Sequence, residues 1–321
     1  MDEKEKKLNL PAIRKSGGVV GSKQSAKTIS KFDLSKKTQV ASIMKVASPS
    51  IEKEVLNSEK GLDLVLVGDL TGSMSSYHQL LKSKFTDLCN ELFPLIENLK
   101  IGIIFYLDHG SGDPYITKIH QLTSNVQELV SFITTTATGH GGDADEAVED
   151  ALNDLLQNMN WKTSNSHSVV IFGDASPHPV NHCPSQYDFF SITQQLFKKQ
   201  ITINSVYCEH YGQRELQKLQ NVDIGDFGTN LRYLEPPDFF SWIANVTGGM
   251  VIGVERIDDL VDIIMAAAAK DSGHLDDLEE KLKTSAPNKL KLIEIAKKAE
   301  TRKRLGSSSN TKLLETGFKI V

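Results

Sequence analysis

From Leu62 onward the chain alternates short runs of apolar, β-branched residues with longer stretches whose apolar positions recur at three- and four-residue intervals. The runs at 62–68, 101–107, 115–119, 168–173, 201–207 and 250–254 predict strands. The stretches at 76–97, 124–135, 143–158, 187–199, 237–247 and 258–269 predict helices. In the first of them Tyr77, Leu80, Leu81, Phe85, Leu88, Leu92 and Ile96 share one face. Strand alternating with helix predicts an α/β fold over 59–272, with a doubly wound, mostly parallel central sheet flanked by helices. Ligands of such sheets sit beyond the carboxyl ends of the strands, so the chemistry is sought in the loops there.

The pattern differs on either side of this region. Residues 1–58 are rich in Lys, Ser and Gly, with Val19, Val20, Ile29 and Phe32 scattered rather than periodic, and read as a basic, largely disordered segment. Residues 273–305 read as a charged helical extension broken near Pro287. Its apolar spacing of Leu290, Ile293, Ile295 and Ala296 suits docking on the domain or on another protein. Residues 306–321 read as a flexible tail.

Charge sharpens this division. Residues 1–50 hold eleven Lys/Arg against four Asp/Glu, residues 276–321 hold eleven against seven, and the middle holds fourteen against thirty. An acidic core suits cation binding and argues against a nucleic-acid-binding face there, while the basic ends offer a weak case for nucleic acid or an acidic partner. The composition, 39% apolar and 24% charged, is that of a globular protein. Its three cysteines, Cys89, Cys183 and Cys208, are odd in number and lack paired spacing, so no disulfide framework is expected. The opening Met1-Asp2-Glu3-Lys4-Glu5-Lys6-Lys7 lacks a signal-peptide core and no uncharged run is long enough to span a bilayer, so a cytoplasmic location is expected.

Three strand-end loops carry oxygen ligands. Asp69-Leu70-Thr71-Gly72-Ser73-Met74 follows the first strand and places a carboxylate and two hydroxyls two residues apart, which suits a hard divalent cation as well as a helix cap. Thr138-Gly139-His140-Gly141-Gly142-Asp143 precedes a middle helix, and Gly173-Asp174 follows the strand at 168–173. Three loops presenting acids at one sheet edge favour a cation site over a structural cap, because clustered carboxylates otherwise repel. His140, His178, His182 and Cys183 match no zinc spacing and, among Pro177, Pro179 and Pro184, read as a surface loop. Cys89 and Cys208 read as core residues, and Asp108, His109, Gly110, Gly112 and Asp113 as an exposed turn.

The order of these loops, closing with Ile243-Ala244-Asn245-Val246-Thr247-Gly248-Gly249 before a last strand, resembles the von Willebrand factor A domain over residues 61–270. That resemblance implies a metal-ion-dependent adhesion site with Asp69, Thr71 and Ser73 as first-loop ligands and Asp174 as third-loop ligand. Members typically carry serine where Thr71 stands, an equivalent hydroxyl. Asp143, with Thr138 as the alternative, would serve the second loop. The cofactor implied is Mg²⁺, with Mn²⁺ or Ca²⁺ as substitutes, and the rim would comprise Met74, Ser75, Tyr77, His140 and His178.

By the same resemblance the function is non-catalytic: an open cation position captures an acidic side chain of a partner protein, in an intracellular adaptor of stress-response or defence systems. Self-association through the tail, with Glu315 filling the open position of a second copy, is a further expectation. No membrane and no small-molecule substrate is expected. The alternative is a Mg²⁺-dependent phosphotransferase or phosphatase with Asp69 as nucleophile, although neither a phosphate-holding lysine nor a second acid after Asp174 is evident.

Overall fold

The computed structural model describes residues 61–305 except 111, 210, 211, 213, 215, 217–232 and 255. The expectations for segment 1–58, tail 306–321 and Glu315 lie outside the described residues.

The expected α/β architecture forms, with eight α-helices among the described residues. Six strands order as β3-β2-β1-β5-β7-β8, where β1 is Leu62–Asp69, β2 Lys100–Tyr106, β3 Thr117–Thr123, β5 Ser166–Gly173, β7 Ile201–Tyr207 and β8 Val251–Gly253. All neighbours are parallel except β2 and β3. Two-residue strands β4 (Asp145–Glu146) and β6 (Ser176–Pro177) pair separately, Asp145 opposite Ser176 and Glu146 opposite Pro177.

Side-chain alternation along β1 splits the core into two layers. Leu62, Leu64 and Leu66 pack with α1 (Ser75–Leu95), α2 (Val126–Thr135) and α6 (Asp259–Ser272). Val65 and Val67 pack with α3 (Val148–Gln157), α4 (Phe189–Lys198) and α5 (Pro236–Thr247). With both faces covered, the central strands are apolar almost throughout, and each buried Leu or Val contributes about 1.5–3 kcal/mol. The buried face of α1 (Tyr77, Leu81, Phe85, Leu88, Leu92) follows the spacing read from sequence.

Local signals set the helix ends. The Asn125 side chain caps α2, accepting from the N–H groups of Gln127 (3.1 Å) and Glu128 (3.4 Å). Gly248, at φ 80°, ends α5, and the next residue must also be glycine because a Cβ on Gly249 would lie 1.9 Å from the Ile203 carbonyl oxygen. Helices α7 (Leu275–Ser285) and α8 (Leu290–Leu305) are separated by a 3₁₀ turn at Pro287–Lys289. They dock on the domain itself: Ile293, Ala296 and Ala299 are buried in the α1–α6 layer, and Lys289 pairs with Asp262 at 2.7 Å. No described helix is long and apolar enough to cross a membrane.

Candidate metal centre

Strand order reverses between β1 and β5, and the loops leaving their carboxyl ends meet at this switch point, where ligands of such sheets ordinarily bind. Asp69 closes β1 and Asp174 directly follows β5. Thr71 donates to Asp69 Oδ1 twice, through its backbone N–H and its Oγ1, each at 2.7 Å. Thr71 Oγ1 lies 3.5 Å from Ser73 Oγ, and the Ser73 hydroxyl is close enough to Asp174 to favour its charged form. Asp69 and Thr71 are buried, whereas Ser73 stands at the surface, so the set runs from the sheet edge outward.

The second loop is drawn in by the chain around it. Gly139 N–H donates to the Leu70 carbonyl at 3.1 Å, and the Asp113 carboxylate accepts from the N–H groups of His140 (2.8 Å) and Gly141 (3.3 Å). Gly141 adopts φ 75°, and a Cβ there would meet Glu146 Oε1 at 2.7 Å. The β4–β6 pairing fixes Glu146, whose carboxyl lies against Gly141 and near Thr71.

Electrostatics marks the centre as costly without a counter-ion. Burial, with the charges of Asp174 and Asp108, pushes the Asp69 carboxyl up to about 7. Burial and the charges of Asp69 and Asp108 push Glu146 up to about 9, and burial raises Asp174 against the opposing influence of the Ser73 hydroxyl. Asp69 Oδ2, Glu146 Oε2 and the Tyr106 hydroxyl are buried polar atoms without partners among the described residues. Gly173 leaves room for that hydroxyl, since a Cβ there would stand 2.5 Å from it. Such a set of hydroxyl and carboxylate oxygens, two carboxylate oxygens orphaned, fits a hard divalent cation.

The structure thus brings together Asp69, Thr71, Ser73 and Asp174, and sorts the remaining candidates. Asp143 is exposed, its Oδ1 3.5 Å from His178 Nε2 and accepting from Asp145 N–H at 2.9 Å. Thr138 is exposed as well. The carboxyl that the structure places beside Thr71 is that of Glu146, four residues past Gly142. Ser75 and His140 are exposed as a rim requires, but Met74, Tyr77 and His178 are not. The correction has a steric cause. The 3₁₀ turn Gly72–Met74 swings Met74 into the core, and Tyr77 points inward to donate to the Cys208 carbonyl at 3.1 Å.

His178 and its neighbours form a second polar group, again corrected from the surface loop expected. Glu149 is fully buried, with Oε1 3.1 Å from His109 Nε2 and 3.2 Å from His178 Nδ1. Burial disfavours charge on His178, but Glu149, Asp108 and Asp143 outweigh it and raise the imidazole to about 9. Glu146, Glu149, Asp108 and Tyr106 were missed because they lie within runs that read as ordinary helix, turn and strand. The signal available was the run of acids Asp143, Asp145, Glu146, Glu149 and Asp150 straddling a helix start.

No family model matches the chain. Among curated proteins it is 25% identical over 210 residues to an ariadne-like RING finger protein of Acanthamoeba polyphaga mimivirus, covering 64% of this chain and 19% of that protein. It is 25% identical over 131 residues to the alpha-protein kinase vwkA of Dictyostelium discoideum, covering 40% and 21%. The chain therefore spans about a fifth of the length of the curated relatives it matches. Among solved structures it is similar to proximal thread matrix protein 1 from the mussel byssus, at TM-score 0.44 and 11% identity over 66% of this chain and 46% of that one. A form of the same byssus protein with a zinc-occupied MIDAS motif gives TM-score 0.42 and 13% identity over 65% and 45%. With β3 antiparallel at its edge and acid-bearing loops at the carboxyl end of its sheet, the chain has an α/β fold built on a mostly parallel six-stranded sheet.

Proposed function

We propose that the chain is a divalent-cation-dependent protein-binding module that performs no bond chemistry of its own. The observation that carries this reading is the orphaned, fully buried Asp69 Oδ2 close to the hydroxyls of Thr71 and Ser73, with Asp174 and Glu146 beside it. Asp69, Thr71, Ser73 and Asp174 would hold the cation, Mg²⁺ first by their hardness, with Mn²⁺ and Ca²⁺ as substitutes. Glu146 supports the site from its inner side. When bound, the cation supplies an electrophilic position that an acidic side chain of a partner can complete.

The chain's own residues prepare that encounter. Thr71 clamps one oxygen of Asp69 and leaves the other for the ion; Asp113 holds the second loop open at the rim, where Ser75 and His140 face solvent. A segment that recurs as about a fifth of a kinase and of a RING finger protein suits a recruiting role, consistent with an adaptor.

The test is an affinity capture from the native cell extract with wild type in Mg²⁺, wild type in EDTA, and Asp69→Ala and Asp174→Ala in Mg²⁺. Proteins captured only in the first condition support cation-bridged binding. The same proteins in all four would remove the cation from the interaction. Phosphate release by the purified protein, abolished in Asp69→Ala, would replace this reading with the phosphotransfer one.

A further inference from the structure

Three stretches distant in sequence converge next to the oxygen-lined centre. His109 follows β2, Glu149 and Asp150 occupy the first turn of α3, and Cys183 lies in the loop before α4. One ligand atom from each lies within 4.8 Å of all the others. We propose that these four residues form a second metal site, built for Zn²⁺ and separate from the centre at Asp69.

The donor types argue first. One imidazole nitrogen, one thiol sulfur and two carboxylate oxygens match zinc's borderline preference, whereas Mg²⁺ and Ca²⁺ take oxygen almost exclusively. Geometry argues next. His109 Nε2 is 3.1 Å from Glu149 Oε1, 2.9 Å from Asp150 Oδ2 and 4.0 Å from Cys183 Sγ, and Sγ is 4.0 Å from Asp150 Oδ2. Tetrahedral zinc at ordinary bond lengths sets its ligands about 3.3–3.6 Å apart, and these four separations depart from that range by roughly half an ångström or less. A bound cation would take the place of a proton shared between His109 Nε2 and the carboxylates.

A supporting shell is the independent observation. Each carboxylate turns one oxygen toward the cluster and has the other held from outside. Glu149 Oε2 accepts the His178 backbone N–H at 3.0 Å, and Asp150 Oδ1 accepts the Ser185 hydroxyl at 3.2 Å. The His109 side chain is 6% exposed and its Nδ1 is buried without a partner, so its single engaged edge faces the cluster. Among the described residues the basic groups paired with Glu149 and Asp150 are histidines, with no permanent cation. Buried acids in that situation are paired or bind a metal. Four protein ligands and deep burial make the site closed, and hence structural. Bound zinc would pin the Cys183 loop to α3 and, through His178, which lies 3.4 Å from Asp108 Oδ1, brace the floor of the Asp69 centre.

The test compares metal content of the full chain, purified without chelator, in wild type, Cys183→Ser, His109→Ala and Asp69→Ala, alongside Co²⁺ spectra of wild type and Cys183→Ser. We expect about one zinc per chain in wild type and Asp69→Ala, at least a tenfold fall in the other two, and a thiolate-to-cobalt charge-transfer band lost in Cys183→Ser. Zinc undiminished in Cys183→Ser, or lost in Asp69→Ala while retained there, would overturn the proposal by placing the metal at the oxygen centre. Should Cys183→Ser fail to fold, the wild-type cobalt spectrum decides alone: without a thiolate band the site does not exist.

Discussion

Replacing Asp69 by asparagine should stabilise the cation-free protein while abolishing its response to Mg²⁺. In the unfolded chain this carboxyl gives up its proton near 3.8, and in the folded chain near 7. Between those values the folded state holds the extra proton, so stability falls as pH rises from about 4 to about 7. At 1.36 kcal/mol per tenfold change, the wild type at pH 8 forgoes about 4 kcal/mol at this one carboxylate. Glu146, raised from 4.5 to about 9, acts in the same direction over a higher window. Asparagine keeps the oxygen that Thr71 engages and exchanges the orphaned Oδ2 for a neutral amide. We expect recovery of about 2–3 kcal/mol, which for a domain of this size raises Tm by about 5–10 °C.

Scanning calorimetry at pH 5 and pH 8, in EDTA and in Mg²⁺, is the assay. Wild type in EDTA should melt lower at pH 8 than at pH 5. Mg²⁺ at a hundred times its Kd should restore about 2.7 kcal/mol at pH 8. A wild-type Tm that ignores both pH and Mg²⁺, together with a lower Tm for Asp69→Asn at pH 8, would refute the reasoning.

Other consequences are equally direct. Asp113→Ala leaves the His140 and Gly141 N–H groups without their acceptor, and Mg²⁺ affinity by titration calorimetry should weaken about tenfold, corresponding to about 1.4 kcal/mol; an unchanged Kd would show that the loop needs no such tether. Gly173→Ala sets a methyl 2.5 Å from the Tyr106 hydroxyl and should cost about 2–3 kcal/mol in urea unfolding, with Tyr106→Phe in the same background recovering part; additive effects would mean the two do not touch. Lys270→Met strands the buried Asp271 carboxylate that Lys270 pairs with, and should cost about 3–5 kcal/mol; a loss below 1 would show that the Ser168 and Asn204 bonds to Asp271 suffice. Ala296→Glu buries a charge beneath α8 and should accelerate amide exchange in α8 with little change in β1 and β5, while unaltered protection would mean the helix is held elsewhere.

The strands and long helices were legible because their periodicities reflect burial on one or two faces, and α1 kept its predicted face nearly residue for residue. The first and third loops were legible because their acids sit directly at the ends of apolar strands. The second was not. Asp143 stood where a helix was expected to begin, but the chain first spends Asp145 and Glu146 on a bridge to Ser176 and Pro177, which delays α3 to Val148 and carries Glu146 inward. Pairing between segments thirty residues apart leaves no local trace. The rim failed for a related reason: a 3₁₀ turn rotates Met74 differently from an α-helical start, and side-chain type alone does not reveal it. His109 and Cys183, 74 residues apart, meet only through the order of β2, β1 and β5.

The two lateral margins of the sheet bear on how the protein behaves in concentrated solution. On one side β8 is only three residues long, too short to template a foreign strand. On the other, β3 runs antiparallel, is out of register with β2 near Ile101 and Ile103, and exposes Lys118 and Gln121. Short length, irregular register and a lysine each discourage strand-swapped dimers and fibril growth. Backbone pairing with other chains is thereby disfavoured at both margins of the described sheet.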